Sequence, residues 1–181
     1  MVKLILNEDH LAGVLAEALG DCRHRLMIAT ANVKDVHVPA ASLGQAGLRR
    51  RAVSIVEVCR WLGDREVQVQ LLHSGVPSGA FLDELKRGVP ENLTMRRCGR
   101  MHAKAIIVDG RWMYVGSANL TGAGLGAKSP RRRNFEAGIW TDELPLIDPV
   151  ADMLQAIFAG ENCGDCGRRD HCPEPLEEPH L

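Results

Sequence analysis

Asp109-Gly110 stands between two short apolar runs, residues 101–108 and 112–116, and this arrangement restricts the fold of the 181-residue chain more than any other. An Asp-Gly step supplies the positive φ angles that tight turns need, so the pair reads as a β-hairpin. Further apolar runs at 2–6, 25–33, 66–73, 93–97 and 135–141 predict strands. Between them, helix-spaced apolar residues predict helices at 9–19, 54–62, 80–87 and 149–159, the last with Pro149 in its first turn. Residues 34–51, with Pro39, Gly44 and Gly47, read as a long loop. Strands alternating with helices argue for an α/β sheet. The length suits one domain, assigned to residues 1–160, followed by a Cys-rich acidic tail at 161–181. Aromatic residues make up only 4%, so the core must rest on Leu, Ile, Val and Ala.

The net charge of −1 conceals a division. The tail holds six acids against two Arg, while the stretch from Arg96 to Arg133 holds nine Lys/Arg against one acid, Asp109. A local field of that sign suits a phosphate-bearing partner. No window approaches 18 consecutive apolar residues, so no membrane span is expected. Residues 1–8 lack the apolar stretch of a secretion signal, which points to the cytoplasm. In that compartment the six cysteines are expected as thiols or metal ligands rather than disulfides.

Residues two apart in a strand share a face. His102 and Lys104 therefore look one way, while Ala103, Ala105 and Ile107 look into a core. Ser117 with Asn119, and Asn134 with Glu136, repeat the same spacing. An imidazole, a fixed cation, a hydroxyl, an amide and a carboxylate meeting at one point suit phosphoryl transfer. Lys and Asn hold the non-bridging oxygens, His attacks or protonates, and a carboxylate orients the ring.

The run His102-x-Lys104, four residues, Asp109, six residues, Gly116-Ser117-x-Asn119 resembles the H-x-K-x4-D-x6-G-S-x-N signature of the phospholipase D superfamily. Asn134-Phe135-Glu136 is similar to the family's next strand, which carries a glutamate. The resemblance spans about residues 1–160 and implies a mixed sheet flanked by helices. It implies that His102 is the nucleophile, forming a phosphohistidine. Lys104 and Asn119 would bind the phosphoryl oxygens with help from Ser117, and Glu136 would fix the far nitrogen of His102. Asp109, at the hairpin turn, is expected to accept backbone hydrogen bonds.

The family mechanism uses two histidines, and this chain carries the motif once. The resemblance therefore implies a homodimer with a composite site across a twofold axis. Single-motif members include the small Nuc-type and Zucchini-type endonucleases, so the expected activity is metal-independent cleavage of DNA or RNA. The alternatives are a phospholipid hydrolase or transphosphatidylase, and a non-catalytic nucleic-acid-binding subunit of a defence, DNA-modification or repair complex. Arg96, Arg97, Arg100, Lys128, Arg131, Arg132 and Arg133 are the candidates for tracking a nucleic acid backbone.

Cys163-x2-Cys166-x5-Cys172-Pro173 is a separate signal. Two thiols three residues apart on a tight turn suit a metal. Zinc in a structural role is expected first, and an iron–sulfur cluster second, because the spacing is similar to cluster-binding tails of some nucleases. The fourth ligand is open among His171, Cys22, Cys59 and Cys98.

Overall fold

The computed structural model describes residues 1–43 and 52–168, together with Cys172 and Leu176. In chain order the strands are β1 (Val2–Leu6), β2 (Arg25–Thr30), β3 (His37–Pro39), β4 (Ala52–Ser54), β5 (Gln68–His73), β6 (Leu93–Arg97), β7 (Ala105–Val108), β8 (Trp112–Gly116) and β9 (Ala137–Thr141). The helices are α1 (Glu17–Asp21), entered through a π-helical stretch (Leu11–Ala16), α2 (Ile55–Gly63), α3 (Gly79–Lys86) and α4 (Leu144–Ala159).

Seven strands form one mixed sheet in the order β1-β9-β8-β7-β2-β5-β6. β2, β5 and β6 run parallel, joined by helical crossovers, and the other neighbours are antiparallel. The hairpin forms at the expected residues, with φ of 52° at Asp109 and 67° at Gly110.

Strand alternation decides which core each residue enters. Leu26, Ile28, Val69, Leu71, Ile106 and Val108 face one cluster, which α2, α3 and the α1 segment cover through Leu15, Leu19, Val58, Leu62 and Phe81. Met27, Ala29, Leu72, Ala105 and Ile107 face the other, which α4 covers through Ile147, Leu154 and Phe158. The result is three layers, helices on both faces of the sheet.

α2 begins where a capping box places it. Ser54 Oγ accepts from Glu57 N at 3.2 Å, and Glu57 Oε2 accepts from Ser54 N at 3.1 Å. Two expectations need correction. α4 begins at Leu144, before the residue 149 start that Pro149 suggested, because Pro145 fills the first turn and Pro149 lies inside the helix. Pro149 forfeits one bond to the carbonyl four residues back, and the buried Ile147, Leu154 and Phe158 hold the helix across it. The segment at 34–51 is not only a loop. β3 and β4 pair antiparallel, and Val36, Val38, Leu43 and Val53 are buried in the larger core. Residues 44–51, and His171 in the tail, lie outside the described residues.

Candidate active site

The motif residues collect at one end of the sheet. β7 is regular only from Ala105, so His102 and Lys104 precede it, but Gly116 N still donates to Lys104 O at 3.1 Å and extends the ladder. Gly116 in turn pairs with Gly138 of β9. Lys104, Gly116 and Gly138 thus stand abreast across three strands.

Both glycines are required by Tyr114. A Cβ on Gly138 would lie 2.8 Å from Tyr114 Cζ, and a Cβ on Gly116 would lie 2.6 Å from Ala137 O and against the Tyr114 hydroxyl. The phenol is buried and forms the floor of the site, accepting from Ala118 N at 3.3 Å. Burial pushes its pKa up to about 12, so the floor is neutral. His10 packs edge-on against the same ring, 5.2 Å between centroids.

Lys104 Nζ lies 3.2 Å from Nδ1 and 3.4 Å from Nε2 of His102, and donates to His102 O at 2.7 Å. The ammonium and the exposed imidazole are therefore side by side, as the two-residue spacing implied. Asn119 is fixed through its carbonyl oxygen, which accepts from Ala31 N and Asn32 N, each at 3.1 Å, and from Thr30 Oγ1 at 3.2 Å. Thr30 Oγ1 also accepts from Leu120 N at 3.0 Å. The end of β2 thus aims the Asn119 amide. Sequence reading did not single out Thr30 and Asn32, because nothing in their spacing marks them.

Glu136 is buried at the entry to β9. It accepts from Ser117 Oγ through one oxygen and from Asn134 Nδ2 at 2.9 Å through the other. The expected bond to His102 is not made among the described residues; the carboxylate instead orders Ser117 and Asn134. Asn7, at a φ of 46°, holds Glu136 from the backbone side, its Oδ1 accepting from Glu136 N at 3.2 Å and its N–H donating to Glu136 O at 3.0 Å. A polar residue closing a strand, as Asn7 closes β1, was the one sequence sign of this role.

Asp109 makes the backbone hydrogen bonds expected of it. Its carboxylate accepts from the backbone N–H groups of Arg23, His24 and Arg25 at 2.8–2.9 Å, tying the hairpin turn to the start of β2. Partial burial opposes its charge, but the three backbone donors outweigh that and hold its pKa below the usual aspartate value.

The seven basic candidates do not form one strip. Lys128, Arg131 and Arg132 are exposed on the loop between Asn119 and Asn134. Arg133 pairs with Glu8 at 3.0 Å. Arg96 lies over the Phe158 ring of α4 and donates to Phe158 O at 2.6 Å, Arg97 donates to Ser74 O at 3.0 Å, and Arg100 reaches Cys166 Sγ at 3.7 Å. The tail cysteines 163, 166 and 172 stand with Cys98 around a separate cavity beside α4. Among the described residues, no three Cys, His, Asp or Glu side chains are gathered closely enough to hold a metal ion. Cys22 and Cys59 are buried in the larger core and do not line this cavity, and burial pushes both thiols up to about 12.

A family model described as "Cardiolipin synthase, PLD-like domain" matches residues 15–159. The chain belongs to this family, within the phospholipase D superfamily. The fold agrees. NucT from Helicobacter pylori superposes with a TM-score of 0.60 at 15% identity, over 86% of this chain and 93% of that one. Nuc from Salmonella typhimurium, described as a phospholipase D family member, gives 0.58 at 17% identity, over 86% and 91%. Phosphatidylserine synthase from Haemophilus influenzae gives 0.54 at 13% identity, over 85% of this chain but 37% of that one. No curated protein matches the sequence. Family membership and fold together support a phosphodiester-acting enzyme, and this PLD-like domain corresponds in extent to nearly a whole NucT or Nuc chain. No helix among the described residues is long and apolar enough to cross a membrane.

Proposed function

We propose that the protein is a nuclease that cleaves nucleic acid phosphodiesters through a phosphohistidine on His102, with one composite site built by two copies of the chain. The observation that carries this reading is the Lys104 ammonium held against the His102 ring at the sheet end where Asn119 is aimed. A ring nitrogen of His102 attacks phosphorus, a nitrogen–phosphorus bond forms and the bond to the leaving oxygen breaks. His102 of the partner subunit gives that oxygen a proton. A water then returns a proton to the same imidazole and displaces His102 from phosphorus. Lys104 and the Asn119 amide hold the non-bridging oxygens while charge builds on them.

The dimer is supported by the single motif and by Phe135. This ring is 95% exposed between the site residues Asn134 and Glu136, where a second copy would bury it. Exposed Lys128, Arg131 and Arg132 flank the same end and suit a polyanionic strand more than a single lipid headgroup. The test is incubation with DNA and RNA in the presence of a chelator, beside vesicles carrying a releasable headgroup. Cleavage of nucleic acid by wild type and none by His102→Ala, with wild-type protein sedimenting as a dimer, is the expected result. Headgroup release without nucleic acid cleavage overturns the nuclease, and salt-sensitive DNA binding without cleavage overturns the enzyme. Full activity in a monomer overturns the composite site.

A further inference from the structure

We infer that Cys98 joins Cys163, Cys166 and Cys172 as the four thiolate ligands of an iron–sulfur cluster that fastens the tail to the loop carrying His102. The four cysteines come from two distant parts of the chain and line one cavity of about 730 Å³. Cys98 follows β6 directly, and its N–H donates to His73 O at 2.8 Å. Cys163 and Cys166 sit on successive turns after α4, which Gly160 ends at a φ of 84°. Of the described candidates for the last ligand, the folded chain brings Cys98 to the tail cysteines. Cys98 is in the cavity, Cys22 and Cys59 are in the larger core, and His171 lies outside the described residues.

The choice of cluster over zinc follows from the spread of the sulfurs. Four thiolates around zinc converge on one point about 2.3 Å from each sulfur and leave no space between them. Here the four cysteines line a cavity rather than a single point. Four thiolates on a cluster each take a different iron and stay further apart. The wall facing them is apolar, from Met153, Ala156 and Ile157 of α4, and Arg100 donates to Cys166 Sγ at 3.7 Å. Apolar side chains on one side and an N–H donor aimed at sulfur are surroundings that stabilise a cluster's negative charge. Arg168 Nη1 also reaches Gly99 O at 3.5 Å, bringing the tail against Cys98 through protein contacts alone. Each thiol gives up its proton on ligation.

The experiment is metal and acid-labile sulfide analysis of the full chain purified under nitrogen, with visible absorption spectra before and after dithionite. The expected result is about four irons and four sulfides per chain, with a broad absorption that dithionite bleaches. Cys98→Ser is expected to lose most of the iron, and Cys59→Ser to keep it. Cys163→Ser lies beyond the family-matched residues 15–159 and is expected to lose the iron while still melting in one cooperative transition, which covers the case of a Cys98 variant that fails to fold. Wild-type protein without iron, or with one zinc per chain and no sulfide, overturns the proposal. So does a Cys98→Ser protein with its full iron content.

Discussion

Asn119 turns its side-chain carbonyl onto the backbone N–H of Asn32, 3.1 Å away, and Ala31 and Thr30 donate to the same oxygen. One half of the amide is thus spent on structure. The Nδ2 half has no hydrogen-bond partner among the described residues and is available to a phosphoryl oxygen.

That division makes two variants of one residue behave differently. Asn119→Asp keeps a carbonyl-like acceptor for the three donors but puts negative charge where an anion must bind. It is expected to melt close to wild type while nucleic acid cleavage falls about 10²–10³-fold. Asn119→Ala leaves the Ala31 and Asn32 N–H groups short of an acceptor, while Thr30 Oγ1 keeps Asn32 O at 2.9 Å, and is expected to lose about 1–3 kcal/mol of stability as well. Thermal melts beside cleavage assays separate the two.

Glu136→Gln replaces a carboxylate that accepts from both Ser117 and Asn134 with an amide that must point a donor at one of them. The mismatch loosens Ser117 beside the attacked phosphate. A loss of about 1.4 kcal/mol in positioning corresponds to a tenfold fall in rate, and a fall of at least that size in kcat is expected. A Glu136→Gln protein with wild-type kcat would show that this carboxylate has no part in turnover.

Gly116→Ala tests the packing beneath the site. The new methyl meets Ala137 O at 2.6 Å and the Tyr114 hydroxyl, and neither the β9 backbone nor the buried ring has room to withdraw. A loss of about 1–3 kcal/mol is expected, read as a lower denaturant midpoint. Gly99→Ala, which meets nothing within 4 Å, serves as the comparison.

Asp109 couples stability to pH. Its pKa is lower in the folded chain than in the unfolded one, so its stabilising effect is complete above the ordinary aspartate range. That effect is lost as pH falls through the lower, folded value. Asp109→Asn removes the titrating group while tolerating the positive φ, and is expected to be less stable than wild type at neutral pH. The difference in denaturant midpoint should shrink on acidification. A gap that stays constant down to strongly acid pH contradicts this account.

The parts of the fold visible in the sequence were those decided locally. Asp109-Gly110 announced its turn, and the two-residue alternation placed Ala105 and Ile107 in a core, but it did not show that Ile106 and Val108 enter a second core on the other face. Pro149 misled because a proline marks a helix start only when no earlier residue can cap, and Pro145 already occupied the first turn. The site was legible as spacing but not as bonding. Motif positions brought His102 beside Lys104, but the buried Glu136 has two oxygens, and Ser117 and Asn134 take them, which no spacing rule foresees. Arg96 illustrates the same limit for charge. Its place in a basic stretch suggested a nucleic acid contact, but its parity along β6 and the arrival of α4 put it on Phe158.

The pairing of β1 with β9 has a bearing on biosynthesis. Lys3 waits for Trp140, and Asn7 for Glu136, so β1 leaves the ribosome long before its neighbour and pairs late. Contacts of such long range close late, because the intervening chain must first be ordered. His102 and Lys104 likewise emerge before Ser117, Asn119 and Glu136, so a nascent chain carries half of the motif without the residues that complete the pocket until β9 has followed.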